Sequence, residues 1–217
     1  MSSSGGAREA DGGAHALAEA VARRSYGKLV ALLAMRTRDV AAAEDALADA
    51  FAAALADWPA RGCPANPEAW LMTVARRRAI DGARHRRVGD ELANQLAILA
   101  DEIDEREAGA LPDQRLALLF ACTHPALDPA IRTPLMLQVV LGLDAKIIAS
   151  AFLTSPSAMS KRLVRAKNKI REAGIPFNVP EREELPDRLA AVLEAVYAVF
   201  AEGWTDPLGS DTERRDL

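Results

Sequence analysis

Apolar positions recur at helical spacing along nearly the whole chain, and no stretch alternates apolar and polar residues as a half-buried strand does. Ala and Leu dominate and β-branched runs are short, which favours helix throughout. The pattern predicts a first helix over about His15 to Met35 and a second over about Val40 to Trp58. Asp39 is placed to cap the second helix, and Pro59 follows its expected end. From Pro59 to Pro67 there are three Pro and one Gly in nine residues, so this segment reads as a loop. Asn66-Pro67 then has the form of an N-cap followed by Pro at the first helical position, opening a third helix that runs to about Arg86.

A second helical cluster follows, over about Asp113 to Cys122, Asp128 to Leu141, Asp144 to Phe152, Pro156 to Ala173 and Leu185 to Glu202. Asp128-Pro129 repeats the cap-then-proline pattern. Pro134 is expected to kink its helix or reset the start to Thr133. Gly142 and Gly174 fall where C-terminal caps belong, and Gly203 closes the last helix. The expected fold class is all-α. It comprises a Ser/Gly/Ala-rich disordered leader (1–13), a helical domain (14–88), an acidic linker (89–112), a second helical domain (113–176), and a C-terminal helix with a frayed tail (177–217).

Two of the short helices meet at Leu153-Thr154-Ser155 in the form of a helix-turn-helix. In the first, Ile147, Ile148 and Phe152 supply an apolar face, with the small Ala149 where two helices cross. In the second, Met159, Leu163, Ala166 and Ile170 recur at steps of 4, 3 and 4, defining one buried stripe. The other face carries Ser157, Ser160, Lys161, Arg162, Arg165 and Lys169, with Asn168 toward its edge. Such a cationic face is what entry into a DNA major groove requires, although solvated helices also expose Lys and Arg.

Charge sharpens this picture. The chain of 217 residues carries a formal net charge of −4, but the charge is segregated. From Pro67 to Val88 six Arg face Glu68 and Asp81, and from Pro156 to Gly174 six Lys/Arg face Glu172. Between these basic islands, Gly89 to Pro112 holds seven acids against Arg106; the segment from Ile175 to Leu217 holds ten acids and four Arg. Phosphate affinity follows local basic surface, not the total. The third helix would bury Trp70, Leu71, Val74 and Ile80. It would expose Arg76, Arg77, Arg78, Arg84, Arg86 and Arg87 for phosphates or stacked bases. The loop before it, with Arg61, Cys63 and Asn66, is a candidate cradle for a base flipped out of melted DNA. Along the second helix Asp39, Glu44, Asp45 and Asp49 precede Phe51, Leu55 and Trp58. These acids either answer the helix dipole or dock on a basic protein surface.

The remaining composition excludes several classes. Half the residues are apolar and 27% are charged, an ordinary balance for a globular protein. No apolar run approaches the length of a membrane span. The two cysteines, Cys63 and Cys122, suggest a reducing compartment and thus a cytoplasmic protein. His15, His85 and His124 are scattered, and Cys122-Thr-His124 is too sparse for zinc, so both Cys122 and His124 read as helix-end packing residues. No nucleophile–base pairing and no phosphate-binding glycine motif occurs, so the expectation is a non-enzyme without cofactor or metal.

Ala43-Glu-Asp-Ala-Leu-Ala-Asp-Ala-Phe51, followed by Asn66-Pro-Glu-Ala-Trp-Leu-Met-Thr-Val-Ala-Arg-Arg-Arg-Ala-Ile-Asp81, resembles the σ2 domain of extracytoplasmic-function sigma factors. Asp113-Gln-Arg-Leu-Ala-Leu-Leu-Phe-Ala-Cys-Thr-His-Pro-Ala-Leu127 and the stretch from Ala151 to Pro176 resemble the σ4 domain. The second pair is similar to a subgroup with a C-terminal extension of tetratricopeptide-like helices, of which only Leu185 to Trp204 would be the beginning. The resemblance covers about Arg23 to Pro180. It implies that Asp45 and Asp49, with Glu44 and Phe51, face the β′ clamp helices of core RNA polymerase. It implies that Arg61 to Asn66 and the exposed Arg of the third helix open the −10 promoter element. Ser160, Lys161, Arg162, Val164 and Arg165 would read the −35 element, and the acidic linker would thread toward the RNA exit path. An anti-sigma factor or the chain's own extension would be further partners; no membrane is implied. Two positions depart from the family: Arg77 stands where Asn is usual, and Pro134 interrupts a helix that is normally continuous. On residues alone the alternative is a helix-turn-helix regulator that binds operators without polymerase.

Overall fold

The computed structural model describes residues 4–86 and 113–204. The described residues form eight α-helices and no strand. They are α1 (Ser4–Thr37), α2 (Val40–Arg61), α3 (Pro67–Arg86), α4 (Arg115–Cys122), α5 (Pro129–Leu141), α6 (Ala145–Ala151), α7 (Pro156–Glu172) and α8 (Leu185–Trp204). Two compact units result: one of Met1–Ser25 with Ala42–Asp113, the other of Tyr26–Ala41 with Gln114–Leu217. The acidic linker (89–112) and the end of the tail lie outside the described residues.

The first unit has an alanine-rich core. Ala14, Ala18 and Val21 of α1, Ala43, Ala46, Leu47, Ala50 and Ala54 of α2, and Leu71, Met72 and Ala75 of α3 are all buried. Small side chains let helix axes approach closely, so good van der Waals contact replaces bulk. Trp58 is buried near the end of α2 and meets Trp70 edge-on, ring centroids 5.5 Å apart at 67°. Ser25 of α1 donates to the Glu68 carboxylate (2.6 Å), which stands in the first turn of α3, where acid answers the helix dipole. Asn66 caps α3, its Oδ1 accepting from the Ala69 amide at 3.1 Å.

In the second unit side-chain caps and glycine stops punctuate the helices. Asp128, Asp144 and Ser155 cap α5, α6 and α7 by accepting from Ala130 (2.9 Å), Lys146 (2.7 Å) and Ala158 (3.2 Å). Gly142 ends α5 in the left-handed conformation, and Gly174 follows α7 the same way. Phe120, Leu118, Leu135, Met136, Ile148, Met159 and Leu163 fill the core. The helix α8 packs on α4 and α5, so it belongs to this unit and is not a loose appendage.

Several expectations need correction. Residues 4–13 are helical instead of a disordered leader, as the Ala/Glu/Arg content of this stretch permits. Helix α2 runs through Pro59 to Arg61, and Gly62 (φ 87) then turns the chain. Helix α5 begins at Pro129 and continues through Pro134 without restarting. Gly203 lies inside α8 instead of ending it. In α3 the buried stripe is Leu71, Met72 and Ala75, whereas Trp70, Val74 and Ile80 are half-buried. Ile147 and Phe152 are substantially exposed, so only Ile148 and Ala149 of α6 reach the core.

Candidate nucleic-acid interface

On α7 the buried stripe is the expected one: Met159, Leu163, Ala166 and Ile170. A helix turns about 100° per residue, so Ser157, Lys161, Val164 and Arg165 project away from that stripe. All four are exposed, as are Ser160 and Lys169. Val164 is 53% exposed, an apolar side chain placed between two cations and free to meet a methyl group or sugar. Arg162 differs. It flanks the stripe, is half-buried, and its Nη2 donates to the Ala130 carbonyl of α5 at 3.1 Å. The free ridge is therefore carried by Lys161, Val164 and Arg165 with the serines, and Arg162 is partly engaged within the unit.

The turn between α6 and α7 places Leu153 in the left-handed region (φ 51) with 96% of the residue exposed. A leucine there costs roughly 1 kcal/mol relative to glycine and recovers nothing by burial. The tight turn sets the angle between the two helices, and Ala149, fully buried, gives the room for their crossing.

In the first unit Arg77 and Arg78 are exposed on α3, whereas Arg76 is half-buried. Arg76 lies one turn from Met72, at the edge of the buried stripe, so it is less accessible than its neighbours. Arg84 belongs to α3, and the position of its side chain lies outside the described residues. In the preceding loop Arg61, Cys63 and Asn66 are exposed. Arg61 stands 3.4 Å from Asp57, a solvated pair of small energetic weight. The Asn66 side-chain oxygen is engaged in capping, and its amide hydrogens are donors for a ligand.

Among the acids of α2, Asp45 and Asp49 are exposed, and Glu44 and Phe51 are half-buried. Asp39 is the exception. In the second unit its carboxylate lies 3.4 Å from Arg171 at the end of α7, and its side chain is only 13% exposed. The sequence grouped Asp39 with the docking acids; the structure gives it a structural partner.

A further feature, the buried arginine of α8, has no clear sequence signal. Arg188 of α8 is buried, with its guanidinium over the Phe120 ring, and it donates to the Phe120 carbonyl and to Thr123 Oγ1. Cys122 is buried and His124 half-buried nearby, in keeping with packing roles at the end of α4. Burial lowers the His124 pKa below its ordinary 6.5, helped by the charges of Arg188 and Arg132 and opposed by Glu184. Its Nδ1 accepts from the Ala126 amide (3.1 Å), which the protonated ring cannot do. The unfolded chain therefore binds this proton more readily, and the stability carried by neutral His124 is full above pH 6.5 and falls as pH drops toward the lowered value. Thermal unfolding should show Tm decreasing on acidification from about pH 7.5 to about pH 5.5, with a shallower slope for His124→Gln. An identical slope in that variant would remove His124 as the cause. Among the described residues there is no group of three His, Cys, Asp or Glu that could hold a metal ion. No described helix is long and apolar enough to cross a membrane.

Residues 21–88 match the family described as Sigma-70 region 2. The match runs from Val21 in α1 through α2, the loop and α3, the stretch that holds the acidic and Arg-rich helices. The chain is also similar to an uncharacterized protein of Rhizobium meliloti (strain 1021), 39% identical over 188 residues. That alignment takes in 83% of this chain and 44% of the relative, so the chain spans less than half the length of the relative it matches. No solved structure matches the chain.

Proposed function

We propose that the chain acts as a sigma factor of the extracytoplasmic-function type, from the subgroup with a tetratricopeptide-like C-terminal extension. It binds core RNA polymerase and directs it to promoters through separate −10 and −35 contacts. The observation that carries this reading is the Sigma-70 region 2 match over the acidic and Arg-rich helices. The exposed ridge on α7, in a separate compact unit, supplies the second DNA contact. Asp45 and Asp49, with Glu44 and Phe51 beside them, form the polymerase-facing side of α2. Asp39, already paired with Arg171, contributes less. Arg61, Asn66, Arg77 and Arg78 meet the −10 element, with Arg76 and Arg84 on the same helix as secondary contacts. Ser157, Ser160, Lys161, Val164 and Arg165 face the −35 element.

Two measurements test it. Purified core polymerase should retain the chain in a pull-down without DNA, and run-off transcription on a promoter library should select a two-part promoter. Retention failing while a duplex operator is still bound would favour the regulator reading. Arg165→Ala should weaken specific promoter binding by about 1–3 kcal/mol and leave polymerase retention unchanged. Unchanged promoter affinity in this variant would displace the proposed −35 surface from α7.

A further inference from the structure

Pro134 is the sixth residue of α5 and has no amide hydrogen. In a regular helix that hydrogen would bond the carbonyl four residues earlier, which belongs to Ala130. The helix still runs unbroken from Pro129 to Leu141. The Ala130 carbonyl has another donor, the Arg162 guanidinium, which reaches it from α7 at 3.1 Å. The helices α5 and α7 pack against each other, and Pro134 itself is buried. A guanidinium on a carbonyl is a charge-assisted bond, stronger than the neutral bond it replaces. Arg162 also stands on the flank of the Met159–Leu163 stripe, not on the outward ridge of Lys161 and Arg165.

We infer that Arg162 is a positioning residue: it tethers α7 to the first turn of α5 through the carbonyl that Pro134 leaves open, and so sets the orientation in which Lys161, Val164 and Arg165 meet DNA. The inference rests on the reading of α7 as the −35 helix. A proline inside α5 and an arginine on α7 are then one device. The proline exposes an acceptor near the helix start, and the arginine uses it to fix the neighbouring helix. Without the arginine the carbonyl has neither its helical partner nor its tether.

The test is a double-mutant cycle on the full chain, read by thermal unfolding without DNA. Arg162→Met keeps the aliphatic stem and should lower Tm by about 4 °C. In a Pro134→Ala chain, residue 134 supplies its own donor to Ala130, and Arg162→Met should cost about half as much or less. Arg162→Lys, which retains one donor, should fall between wild type and Arg162→Met. Equal losses in both backgrounds, or no loss in either, would overturn the tether. On promoter DNA with core polymerase, Arg162→Met should reduce discrimination at every −35 base pair by a similar factor, about threefold. A loss confined to one base pair would show Arg162 reading that base, and would overturn the positioning role. Should the wild-type chain bind no promoter at all, the promoter reading fails while the unfolding cycle still decides the tether.

Discussion

Gly27→Ala is expected to lower the melting temperature by about 6–12 °C, although the substitution places a better helix former inside a helix. Helix propensity alone predicts the reverse, a gain of about 0.5–1 kcal/mol. The geometry decides between them. A methyl carbon built on Gly27 lies 1.8 Å from the Val140 carbonyl oxygen and 2.8 Å from its carbon. These are backbone atoms near the end of α5, so no flexible side chain can swing aside. Gly27 and Val140 belong to the same unit, and neighbouring Tyr26 lays its ring against Gly142, within 2.9 Å of where that glycine's Cβ would be. Inserting one carbon must push α1 away from α5 and loosen the apolar surface they bury together. Overpacking of this kind costs about 3 kcal/mol, several times the propensity gain. Calorimetry of the full chain checks it: a raised or unchanged Tm would mean that α1 does not approach α5 this closely.

What could be read from the sequence divides along a physical line. Caps and stripes are local: Asn66 and Asp128 announce helix starts because the side chain meets an amide two or three residues on. The Met159–Ile170 stripe announces itself because burial on one face needs only the helical period. Corrections arose where a distant partner decides. Pro134 looked like a break, yet Arg162, 28 positions later, supplies a donor to the carbonyl it leaves. Asp39 looked like one acid among four until Arg171, 132 positions away, took it. Leu153 hid the left-handed turn because the usual glycine is missing there. The exposed part of the candidate interface was legible, since solvent imposes no partner on Lys161 or Arg165. The half-buried arginines were not, because whether Arg76 and Arg162 face solvent depends on the helix packed beside them.

Arg188→Met should be the most disruptive single change on α8, with an expected cost of about 2–4 kcal/mol. Phe120 is third from the end of α4, where its carbonyl accepts from the Thr123 amide (3.2 Å) and from Thr123 Oγ1 (3.0 Å). Arg188 adds a charged donor to that carbonyl, bonds Thr123 Oγ1, and stacks over the Phe120 ring at 5.9 Å. Methionine keeps the apolar stem but supplies no donor, so the Phe120 carbonyl remains buried beneath α8 with one partner fewer. The nearby acid contributes little: Glu184 lies 3.2 Å from Arg188 but is 63% exposed, and water screens the pair. Glu184→Gln should therefore cost less than about 0.5 kcal/mol. Losing the guanidinium also removes one of the charges that hold the His124 pKa down, so that pKa should rise partway toward its ordinary value while burial and Arg132 keep it below. Hydrogen exchange should show amides of α8 losing protection before those of α5 and α7, because α8 is the helix whose anchor is gone. If the two substitutions destabilise equally, the ion pair is the anchor and the carbonyl bond is not. If α8 keeps its protection in Arg188→Met, apolar contacts hold the helix without the arginine.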